Sequence, residues 1–284
     1  MPDQYLQPLE TITDDKHYFK FNSPLLDQYR QSYAENVRFL IDKLTVKQQK
    51  DLYLNKLFLK REFNSDLEKQ FIQTACEITV TSYFAQRFPE SFRYEPKLTK
   101  QSNSECQFKA LGYTYNIEVK CPSFDRLEAQ NLDNHFIFSV PIRTNRALLE
   151  IITGALNEAA EQAGLPSYTT PHRMDNNLKD FLKSANNKFK GANSENDINM
   201  LVVCCDNAKN MQEFTNYLYQ YGGFFNQNPD HTILAPLDYK HVDVVILCNL
   251  YYRHARYYSK PSVVKPWDFS ASFNLVFDNI HREV

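Results

Sequence analysis

Glycine is scarce in this chain, with six residues in 284. No G-x-G-x-x-G or G-x-x-x-x-G-K-[ST] occurs, which disfavours the folds whose glycine loops wrap a nucleotide. The seven histidines form no H-E-x-x-H and no paired zinc spacing. The six cysteines contain no C-x-x-C and lie mostly in apolar text, as buried thiols of a reducing cytoplasm do. Neither sign of charge dominates: 32 basic and 34 acidic residues leave a formal net charge of -2. A bulk polycation is therefore excluded, and any nucleic-acid contact must come from a local basic surface. No apolar run is long enough to span a membrane, and MPDQYLQPLE carries no signal-peptide pattern. The expectation is a cytoplasmic protein without a membrane partner.

What is present suits a large α/β core. Hydrophobic residues make up 43 % of the chain, enough for one large domain or a domain with an appendage. The first twenty or so residues read as irregular. Leu26, Tyr29, Tyr33, Val37, Leu40, Ile41 and Leu44 recur at three-to-four spacing and predict a helix over about 24–44. Thr45 can cap a second helix, to about Phe63. Residues 1–63 thus form an N-terminal helical unit, and 64–284 the core. Later, INMLVVCC (198–205) and HVDVVILCNL (241–250) read as buried strands. Helices are expected over 146–163, 175–188 and 210–221, and HFIFSVPI as a further strand. Continuous apolar strands alternating with helices predict a central mixed sheet flanked by helices.

The most informative stretch is SECQFKALGYTYNIEVKCP, residues 104–122. Two alternating runs meet at Leu111–Gly112, as in a hairpin with a two-residue loop. Pairing Ala110 with Tyr113 carries the ladder to Glu105 opposite Glu118. Opposed side chains there have Cβ atoms about 4.5–5.5 Å apart, so the like charges repel unless a cation intervenes. Lys120 follows two places later on the face of Glu118. An isolated E-x-K is ordinarily a solvated face with a weak ion pair. Two carboxylates with an ammonium can also hold a hard divalent metal and a hydrolytic water.

Upstream, a helix is predicted over 65–87, capped by Asn64 or Ser65. Glu77 sits in its apolar region, in ACEITV, where a carboxylate needs a partner or a raised pKa. The alternative is an acid that reaches solvent.

Taken in order, Glu77 on a helix, Glu105 on a strand and Glu118-x-Lys120 on the next resemble the PD-(D/E)XK nuclease superfamily. The likeness covers about residues 65–122. It implies a restriction-endonuclease-like fold and a metal-dependent nuclease, with DNA a more natural substrate than RNA and a role in defence or restriction. It implies that Glu105 and Glu118 hold Mg²⁺ or Mn²⁺ with the Val119 carbonyl, that Lys120 orients the attacking water, and that Glu77 assists a metal or its waters. The family usually has Asp where this chain has Glu105. Duplex cutting often uses two active sites, which makes a homodimer relevant. The contrasting reading is an inactive nuclease-fold binding module, with the acids and lysine as a structural salt-bridge cluster.

Several basic residues are candidates for a nucleic-acid surface. Arg143 and Arg146 flank a predicted helix start, where amides and guanidinium groups can bind phosphate. Lys188 and Lys190 close another helix. Arg253 and Arg256 alternate with tyrosines in LYYRHARYYSKPSVVKPW, a mixture suited to stacked bases and phosphates. The ordinary alternatives are surface arginines, a solvated helix end and an amphipathic exit from the sheet.

Overall fold

The computed structural model describes residues 3–100, 102–122, 146–162, 164, 174–192, 194–220, 222–226, 234–260 and 262–280. The expected strand in HFIFSVPI lies outside them. Among the described residues a six-stranded mixed sheet runs in the order β1 to β6: Arg93–Tyr94, Cys106–Ala110, Tyr113–Lys120, Asp197–Cys204, Val244–Cys248 and Asn274–Asp278. The middle strands β3, β4 and β5 are parallel. The outer pairs β1–β2, β2–β3 and β5–β6 are antiparallel. Helices flank the sheet: α1 Asp3–Leu6, α2 Leu26–Ile41, α3 Val46–Asp51, α4 Ser65–Arg87, α5 Arg146–Gln162, α6 Met174–Phe189, α7 Ala208–Tyr219 and α8 Leu250–Ala255. Among the described residues no helix is long and apolar enough to cross a membrane.

The β2–β3 turn follows from residue type. Leu111 and Gly112 both have positive φ, 52° and 84°. That combination matches a two-residue hairpin turn and pairs Ala110 with Tyr113. One face of the hairpin is aromatic: Phe108 stacks on Tyr115 at 4.8 Å and on Phe88 at 4.1 Å. Phe84 of α4 stacks on Phe108 at 4.8 Å, which fixes the helix over that face. The other face carries a polar ladder. Gln107 donates to Asn116 (2.8 Å), Asn116 to Asn199 (2.9 Å), and Asn199 to the Ala192 carbonyl (2.7 Å). Alternation puts Glu118 and Lys120 on this second face.

The N-terminal residues share one core with the rest. Phe19 stacks on Trp267 with centroids 5.7 Å apart, and the Trp267 amide donates to the Ser32 hydroxyl at 3.3 Å. Buried His254 joins three helices. The Thr79 hydroxyl donates to the Ala75 carbonyl at 2.7 Å, so it accepts from Nε2 of His254 at 3.1 Å. Nδ1 is then left to accept from the Tyr29 hydroxyl at 3.1 Å.

Some expectations needed correction. The opening residues are not irregular: α1 and a 3₁₀ turn over Gln7–Thr11 bury Leu9. The helix expected to reach Phe63 stops at Lys56. A Thr45–Gln48 capping box starts it, but it widens into a π turn over Leu52–Lys56, and Phe58 follows at φ 56°. Strand β6 was not foreseen. It is short and only one of its five residues is buried, so it carries little alternation signal.

Candidate active site

The ladder that brings the acids together ends one step early. Cys106 pairs with Ile117, but the Glu105 amide also donates to the Ile117 carbonyl, at 2.8 Å. Two residues therefore face one, as in a β-bulge, which bends a strand end and re-aims its side chain. Simple extrapolation of the register would have set Glu105 square against Glu118. The bulge instead brings Glu105 to the same ammonium as Glu118.

Glu118 is fully buried. Its Oε1 lies 2.7 Å from Lys120 Nζ and 2.6 Å from Lys188 Nζ. These are close ion pairs, yet Oε1 has no aligned hydrogen bond, while Oε2 accepts one from Lys188 at 2.8 Å. The Lys188 ammonium is also 4.0 Å from Oε1 of Glu105. Lys188, proposed from sequence as a nucleic-acid contact, is thus drawn into the acid cluster by α6.

Glu77 points toward the same charges. Burial raises its pKa, the Glu105 carboxylate raises it further, and Lys56 and Lys120 oppose them, leaving it at about 8. Burial also raises the Glu105 pKa, and Glu118 adds to the effect. Burial opposes the charge on Lys120, but Glu118, Glu105 and Glu77 outweigh it and its pKa rises. Lys120 is therefore an ammonium at neutral pH, a donor and charge stabiliser rather than a base.

Three further members were not singled out from sequence as part of the site. Lys56, on the π turn, ion-pairs with Glu95 and donates to the Tyr94 hydroxyl at 2.9 Å. Glu95 holds a left-handed backbone, φ 46°, and its amide donates to the Glu105 carbonyl at 3.0 Å. Both residues sit at irregular backbone, which clusters at functional sites. Nothing in the text around Lys56 marks it, because a π turn set by tertiary packing delivers it.

The remaining candidates separate. Val119 turns its buried side chain to the apolar face, between Glu118 and Lys120. Arg143 lies outside the described residues, and Arg146 is the first residue of α5. Lys190 and Arg256 are exposed. Arg253 is buried. Its Nη2 donates to the carbonyls of Val264 and, at 3.1 Å, Lys265, so the guanidinium braces a loop of the fold. Tyr251 and Tyr257 beside it are buried as well, which matches the amphipathic exit rather than a stacking platform.

A divalent ion suits this donor set. Burial and the neighbouring Glu118 carboxylate raise the pKa of Glu105, and Oε1 of Glu118 is buried without an aligned hydrogen bond. Small hard cations favour such oxygen ligands. Separately, Cys76, Cys121 and Cys204 group their sulfurs nearby, a soft set unlike the carboxylates.

No protein-family model matches the chain, and neither a curated protein nor a solved structure matches it.

Proposed function

We propose that this chain is a metal-dependent phosphodiesterase with a restriction-endonuclease-like core, cutting DNA in preference to RNA. The observation that carries this is the meeting of Glu105 and Glu118 at one ammonium, with Lys120 on Glu118 and Glu77 in their field. Glu105 and Glu118, with the Val119 carbonyl, would hold Mg²⁺ or Mn²⁺, which supplies Lewis-acid stabilisation of the phosphate and a more acidic water. Lys120 orients the attacking water with its ammonium and balances charge that builds on the phosphate oxygens. Glu77 in its ionised form is a stronger base than an exposed glutamate and takes the proton of that water. A homodimer would let two such sites cut a duplex.

A second reading is favoured by two contacts. Lys120 and Lys188 already neutralise Glu118, as they would in an inactive binding module held by a salt-bridge cluster. The test is incubation of plasmid, linear duplex, single-stranded DNA and RNA with Mg²⁺, Mn²⁺ or chelator. Cleavage that needs the dication and is lost in Lys120→Ala and Glu118→Ala supports the enzyme. Divalent binding absent from the wild type, with nucleic acid still bound, supports the module. Undiminished cleavage by folded Lys120→Ala removes that residue from the chemistry.

A further inference from the structure

Four sulfurs from four different elements converge beside the acid–lysine cluster. Cys76 lies on α4, Cys121 just past β3 and Cys204 at the end of β4, with their Sγ atoms all within 4.8 Å of one another. Cys248 on β5 is the register partner of Cys204, and their sulfurs are 3.7 Å apart. All are free thiols. Cys76, Cys204 and Cys248 are fully buried and Cys121 is half-buried. Isolated buried thiols are ordinary core residues, and Cys106 on β2 is one. Space-filling alone gives no reason for helix and strand ends to bring four sulfurs together.

We propose that Cys76, Cys121, Cys204 and Cys248 form a thiolate site for a zinc-type soft metal ion. Zn–S bonds of about 2.3 Å in a tetrahedron set the sulfurs about 3.8 Å apart. Cys76, Cys121 and Cys204 need close by no more than about 1 Å to reach it, and Cys248 already has that spacing from Cys204 and completes the tetrahedron by approaching the other two. Cys248 also lies within electrostatic reach of Cys76. Hard Mg²⁺ or Mn²⁺ has little affinity for such a cage, so this site is chemically distinct from the carboxylates. It stands whether or not the chain cleaves phosphodiesters.

The placement gives the ion a consequence. Cys76 directly precedes Glu77, and Cys121 directly follows Lys120. An ion held by both would tie α4 to the end of β3 and fix the separation of the two neighbouring side chains. The four cysteines are then positioning residues for the acid–lysine cluster.

Co²⁺ reports such a site directly, because only sulfur ligands give thiolate-to-cobalt charge-transfer absorption. The full chain, reduced and stripped by chelator, is titrated with Co²⁺ alone and then with Zn²⁺. The expected result is saturation at one equivalent with strong charge-transfer absorption, its displacement by Zn²⁺, and a higher Tm. Cys204→Ser should abolish the absorption, while Cys106→Ser and Glu118→Ala keep it. If Cys204→Ser does not fold, Cys121→Ser at the half-buried rim replaces it. Folded wild-type protein without charge-transfer absorption overturns the proposal. So does absorption that survives the loss of Cys204 or Cys121.

Discussion

Lys188 grips both carboxylate oxygens of Glu118, with Nζ 2.6 Å from Oε1 and 2.8 Å from Oε2. The ammonium reaches from α6 to β3 and occupies the carboxylate that, with Glu105, would hold the proposed dication. Under the proposed function, metal and ammonium would compete for one carboxylate.

Replacing Lys188 with Met tests this competition. Removing one partner of a buried pair strands the other charge, which costs about 3–5 kcal/mol when both are fully enclosed. Lys188 keeps some exposure and Lys120 still pairs with Glu118, so a smaller loss of about 2 kcal/mol is expected without metal. Mg²⁺ should restore most of it, and its affinity should rise about tenfold. Urea unfolding with and without Mg²⁺, together with calorimetric titration, reads both effects. A variant as stable as the parent with unchanged Mg²⁺ affinity contradicts the competition.

Glu77 gives the molecule a pH dependence of unusual sign for an acid. Its folded pKa of about 8 lies above the ordinary carboxyl value of 4.5. Between those values the folded state keeps a proton that the unfolded chain has released. Stability is then highest below the unfolded pKa and falls by about 1.4 kcal/mol per pH unit up to about 8 from this group. Glu77→Gln should flatten that slope, and chemical unfolding at about pH 6 and about pH 8 measures it. Equal slopes in both proteins would mean that Glu77 titrates normally.

His254 acts in the opposite sense. Burial holds its pKa at about 3, below the usual 6.5. The unfolded chain therefore binds the extra proton first, and the stability from the neutral ring is lost as pH falls from 6.5 toward 3. His254→Gln should weaken the protein at neutral pH by removing a hydrogen bond to Tyr29 or Thr79. Its stability should also decline less steeply in acid. Thermal melts across this range give the comparison, and parallel curves would rule out the histidine as the titrating group.

Lys56→Met removes a cation that restrains the proton affinity of both Glu77 and Glu105. The Glu77 pKa should move above about 8. Carbon NMR of labelled glutamate reads this carboxyl directly. A static or falling pKa would show that Lys56 does not act on it.

Much of the site could be read before the structure was known, because its parts are local. The Leu111–Gly112 turn and the alternation from Tyr113 set the hairpin register. The Asn64 cap started α4 where expected, with its side chain accepting from the Leu67 amide at 2.9 Å. What was hidden depends on packing between distant segments. The bulge at Glu105 adds a backbone contact that periodicity does not encode. Lys188 lies 70 residues from Glu118 and reads as an ordinary helix-end lysine until α6 docks on the sheet. Lys56 arrives through a π turn that local propensity does not announce. Arg253 looked like a nucleic-acid contact because a buried guanidinium bonded to carbonyls has the same residue signature as an exposed one.

Lys56 has a practical consequence for anyone seeking a minimal fragment. Deleting residues 1–63 would discard a cation facing Glu77 and Glu105, and would strip Phe19 and Tyr29 from the rings that enclose Trp267. A truncation that keeps only the motif-bearing part would leave an oily scar on its surface, and the acidic pocket would have lost one of its counterweights.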